Sequence, residues 1–69
     1  MSADNYLSII QKEGIWKIYM ESASDEEAPR FEGEVWGSSE SYEEIIKLAN
    51  DLLGEEIIEY GYKVFNHIY

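Results

Sequence analysis

Residues 6–21 read Tyr-Leu-Ser-Ile-Ile-Gln-Lys-Glu-Gly-Ile-Trp-Lys-Ile-Tyr-Met-Glu. Two β-prone runs, Tyr6 to Lys12 and Ile15 to Glu21, flank the dipeptide Glu13-Gly14. A two-residue connection ending in glycine predicts a tight hairpin, because glycine accepts the positive φ such turns require. Alternation places Leu7, Ile9, Trp16, Ile18 and Met20 on one face. Tyr6, Ser8, Ile10, Lys17, Tyr19 and Glu21 fall on the other, which is not cleanly polar.

Working outward, Ser22 to Arg30 is polar and acidic, holds the only proline, and reads as a loop. Phe31 to Trp36 alternates again and predicts a third strand, with Glu32, Glu34 and Trp36 sharing one face. Gly37 to Glu40 then turns into a helix opened by the capping box Ser41-x-x-Glu44. Tyr42, Ile45, Ile46, Ala49, Leu52 and Leu53 form its apolar stripe, and Gly54 is placed to end it as a left-handed cap. Ile57 to Ile68 predicts a long last strand, in which Gly61 marks a bulge. The expected fold is α+β: one domain over residues 1–69, an antiparallel four-stranded sheet with one helix on one face, in the order β-β-β-α-β.

Fifteen Asp and Glu face five Lys and Arg, a net charge of −10 on 69 residues. Such a body repels nucleic acid and attracts basic partners. Its 45% apolar content is too high for a disordered acidic tail. Cysteine is absent, which removes disulfides and thiolate metal sites. The first residues lack a basic and apolar leader, and no apolar run is long enough for a membrane span. The expected setting is the cytoplasm.

No catalytic set can be assembled around His67, the single histidine. Paired carboxylates such as Glu32/Glu34 lack the enclosing cleft that acid–base chemistry requires. Asp25-Glu26-Glu27 lacks the ligand spacing and turn glycine of a calcium loop, and the glycines show no phosphate-binding spacing. The expectation is a protein without enzyme activity, cofactor or metal. Aromatic anchors ringed by carboxylates suit a face directed at a basic protein. Tyr19 and Trp36 are the expected anchors, with Asp25, Glu26, Glu27, Glu32 and Glu34 around them. DNA carries a charge about every 1.7 Å of helix axis. Strand neighbours on one face stand about 6.7 Å apart. Imitation of a phosphate backbone would therefore draw on several elements together.

The opening Met-Ser-Ala-Asp-Asn-Tyr-Leu and the closing Glu-Tyr-Gly-Tyr resemble small uncharacterised proteins of bacteriophages and prophages. The matching segments are Ser2 to Tyr6, Ala23 to Asp25 and Glu59 to Tyr62. The element order is similar to small acidic phage inhibitors of host RNA polymerase, to anti-CRISPR proteins and to HicB-type antitoxin domains. The uncharacterised phage proteins have no assigned activity and supply context alone. With the net charge of −10 and the aromatics on a sheet face, the expectation is an accessory protein that blocks a basic, nucleic-acid-handling protein in the host cytoplasm, with no direct contact to nucleic acid or membrane. The alternative expectation is a self-associating, antitoxin-like domain, a homodimer pairing through Ile57 to Ile68.

Overall fold

The computed structural model describes residues 4–56 and 58–68, with residues 66–68 described by backbone alone. Strands β1 (Asn5–Lys12) and β2 (Ile15–Ser22) form the expected hairpin, in register from Asn5 opposite Ser22 to Lys12 opposite Ile15. Its turn has φ of 52° at Glu13 and 83° at Gly14. Positive φ at both central residues matches the right-handed twist of the flanking strands. Strand β3 (Val35–Ser39) pairs antiparallel with β2, helix α1 (Tyr42–Glu55) follows, and β4 (Tyr62–Ile68) closes a sheet of order β3-β2-β1-β4.

The α+β class and element order are those expected, but the sheet is mixed, because β4 runs parallel to β1. The helix is the cause. A two-residue hairpin reverses the chain, whereas a helical crossover carries it back to the end from which the previous strand began. Since β3 is already parallel to β1, β4 must be so too.

The third strand runs on to Ser39 instead of ending at Trp36, so Gly37 to Ser39 belong to the strand and not to the turn, and three further boundaries differ from expectation. The third strand starts at Val35 rather than Phe31, because Phe31 (φ 52°) and Gly33 (φ 89°) occupy the left-handed region, outside any strand. Gly54 does not end the helix: the Glu56 N–H still bonds the Leu52 carbonyl at 2.9 Å, and Glu56 is the C-cap. Strand β4 begins only at Tyr62. Gly61 (φ 70°) turns the chain into it, and its carbonyl accepts from the Leu7 N–H at 2.8 Å. Ile57 lies outside the described residues. At the helix start, Ser41 Oγ accepts the Glu44 N–H at 3.3 Å, while the Ser41 N–H donates to Ser39 Oγ rather than to Glu44.

The main core lies between sheet and helix. Leu7, Ile9, Ile18, Ile45 and Ala49 are fully buried there, with Trp16, Met20, Leu48, Leu52, Leu53 and Val64 packed against them. Gly37 lets β3 approach the helix: a Cβ on it would stand 3.3 Å from Ile18 Cδ1 and 3.7 Å from Leu48 Cδ1. Gly37→Ala should therefore change stability by less than about 1 kcal/mol, since only a flexible side-chain tip must yield. Gly37→Val should cost about 1–3 kcal/mol by overpacking, read from urea unfolding midpoints.

Candidate functional site

The face turned away from the helix is the one on which aromatic anchors were expected. Its residues are where strand alternation puts them, yet they are buried: Ser8 and Ile10 completely, Tyr19 to 4% exposure. Residues 23–34 cross this face as a strap, and Phe31 inserts its ring against Ile10, Tyr19 and Phe65. The Phe31 and Phe65 rings meet edge-on, with centroids 5.2 Å apart.

Charged side chains of the sheet hold the strap. The buried Glu21 carboxylate accepts from the Ser8 hydroxyl at 2.7 Å and from the backbone N–H groups of Arg30 and Phe31 at 3.0 and 3.1 Å. From the opposite side, Lys12 Nζ donates to the Phe31 carbonyl at 2.7 Å and lies over the Tyr19 ring. A carboxylate binds the N–H of the Phe31 peptide and an ammonium binds its carbonyl. Both bonds are charge-assisted, and together they fix a residue in a conformation that non-glycine residues rarely adopt.

The strap is also braced along itself. Arg30 pairs with Asp25 through Nε and Nη2, and with Glu27 at 3.1 Å. The Arg30 guanidinium, followed by the Glu27 N–H bond, lowers the Asp25 carboxyl below the ordinary carboxylate range. Burial, followed by the negative charges of Glu21 and Asp25, raises the Tyr6 phenol. Lys63 sits over the Tyr6 ring at 5.0 Å. Beside it, Asp4, Asp25 and Tyr60 help line a shallow open groove of about 570 Å³.

The expected site residues thus divide. Glu26, Glu32 and Glu34 are exposed on the strap. Asp25 and Glu27 are on the strap too but are engaged with Arg30. Two expectations need correction. Tyr19 is a floor residue beneath the strap, not a surface anchor. Trp36 lies on the helix side, packed against the main core, because a bulge leaves it as the extra residue between the pairs Ile18–Gly37 and Tyr19–Val35. Side-chain placement at His67 is outside the described part of the chain. Among the described residues, no group of three or more His, Cys, Asp or Glu is placed to hold a metal ion.

Sequence reading missed Glu21 and Lys12 as strap holders, and Tyr42 as an exposed aromatic. Tyr42 was expected in the buried stripe but is 48% exposed, its ring meeting Trp16 edge-on at 5.0 Å. One signal for the strap was present: a strand face carrying Tyr6, Ile10 and Tyr19 needs a cover, and a carboxylate under that cover needs donors.

Glu21→Ala leaves up to three donors without their acceptor and should destabilise by about 2–4 kcal/mol, Glu21→Gln by less. Equal stability of Glu21→Ala and the exposed Glu26→Ala in urea would show that the carboxylate does not hold the strap. A second expectation concerns acid. A carboxyl with a lowered pKa favours the fold above its ordinary value, and that contribution vanishes as pH falls through the lowered one. Arg30→Gln should therefore weaken the protein at neutral pH and converge with the wild type in strong acid, in paired urea titrations.

Compared with known proteins, the chain matches no family model, no curated protein and no solved structure.

Proposed function

We propose that this protein is a non-enzymatic acidic inhibitor that binds a basic, nucleic-acid-handling protein of a bacterial host, a polymerase or a CRISPR-type complex. Its carboxylates occupy the lysines and arginines that otherwise hold phosphates. The observation that carries this reading is the strap. Glu26, Glu32 and Glu34 are exposed on a segment whose backbone is clamped between Glu21 and Lys12. Carboxylates on a fixed frame lose less entropy on docking than carboxylates on a mobile tail. A net charge of −10 adds long-range steering. In this scheme Tyr19 supports the strap from below, and Trp36 packs against the main core on the other face of the sheet.

A second reading rests on one feature, the position of β4 at a sheet edge. There it could pair with its own copy across a two-fold axis.

The protein as bait in bacterial lysate, washed at rising salt, tests the first reading. Capture of a basic nucleic-acid enzyme that salt and competing DNA release supports it. An empty column, with a bait that sediments as a dimer, replaces it with the second. Against a captured partner, Glu32→Lys combined with Glu34→Lys should slow association by about tenfold at low salt and flatten the salt dependence. An unchanged association rate would remove the strap from the interface.

A further inference from the structure

Strand β3 is the sheet's other edge, with β2 on one side and, among the described residues, no strand on the other. An open edge presents backbone donors and acceptors that another extended chain can satisfy. Its chemical surroundings differ sharply from those of β4. Between Phe31 and Ile46 the sequence carries Glu32, Glu34, Glu40, Glu43 and Glu44 and no lysine or arginine. All five glutamates are exposed. The β4 edge carries Lys63 instead.

Two large side chains are exposed along the β3 edge. Val35, at its start, is 41% exposed. Tyr42 stands just beyond its end, beside Trp16, which pairs with Ser39. The bulge at Trp36 limits the regular part of the edge to Gly37, Ser38 and Ser39, so it fits a short segment rather than a long strand.

Charge decides which segment. A second copy of β3 would bring Glu34 and Glu40 against acidic counterparts, and like charges across strands oppose pairing. A strand with Arg or Lys at alternate positions meets carboxylates at both ends of the edge and an exposed aromatic ring at one of them.

We infer that the β3 edge takes up a short, extended, Arg- or Lys-bearing segment of the partner protein by strand addition. Glu34 and Glu40 flank its cationic side chains, and Tyr42 stacks on one of them. This rests on the reading of a basic partner and specifies where, and in what conformation, part of that partner binds.

The test uses two synthetic peptides of equal charge, blocked at both ends: Arg-Val-Arg-Val-Arg-Val-Arg and Arg-Arg-Pro-Pro-Pro-Arg-Arg. The consecutive prolines of the second remove backbone donors on both sides of the chain, whichever side meets the edge, and oppose strand addition. Each is titrated into the isotopically labelled full chain at low salt, with amide shifts and amide exchange followed. The valine peptide should slow exchange across residues 37–39 and bind at least about tenfold tighter than the proline peptide. Tyr42→Ala, at an exposed position and checked for folding by circular dichroism, should weaken the valine peptide about threefold.

Equal binding of the two peptides, with shifts confined to the strap, would overturn strand addition and leave the charge-based reading standing. Protection at β4 instead of β3, or no binding of the valine peptide, would also overturn it. Failure of the lysate experiment alone would remove the basic host partner, not the capacity of the edge.

Discussion

A sheet that is apolar on both faces but packed by a single helix leaves one face needing another cover. In this chain the cover has no regular secondary structure of its own, so its backbone polar groups must be satisfied by something other than a ladder. Glu21 and Lys12 do this at the place where burial is deepest, the Phe31 peptide. The buried aromatic, the left-handed backbone and the two charged side chains form one unit. Removing any of them exposes Ile10 and Tyr19 or leaves a buried polar group without a partner.

Much of the fold was legible because it depends on local chemistry. The Glu13-Gly14 turn, the alternation of Leu7, Ile9, Trp16 and Ile18, and the Ser41 cap each act within a few residues. What was not legible depends on distant partners. Phe31 reads as the start of a strand until the contacts from Glu21 and Lys12 are known, and these lie 10 and 19 residues away. Trp36 reads as pointing outward until the bulge is known, because a single extra residue exchanges faces. The candidate site was legible in composition but not in its anchors: the carboxylates of the strap are outside as expected, and the aromatics beneath them are not.

The distribution of the five cations follows from the same arrangement. Lys12 and Arg30 hold and brace the strap, and Lys63 covers Tyr6 at its border. With Lys17, which alternation puts on the same face as Tyr19, four of the five positive charges are thus gathered on the far side of the sheet. The segment from Glu32 to Glu44, which holds β3 and the start of the helix, carries only glutamates among its charged residues. The molecule is acidic overall, but its field is uneven, and the imbalance is a by-product of how the second face is closed.

The parallel pairing of β1 with β4 also affects the order in which the sheet is assembled. Pairs in the hairpin reach at most from Asn5 to Ser22, whereas Leu7 must find Tyr62. Closing the longer loop costs about 1 kcal/mol more in chain entropy, and contacts so distant in sequence form late. Until β4 arrives, β1 has a bare inner edge running past Leu7, Ile9 and Ile10. Two such half-assembled chains would join readily if they were neutral. At −10 each they repel. The excess of carboxylates therefore acts in time as well as in space, keeping unfinished copies apart during the interval when their most adhesive strand is uncovered.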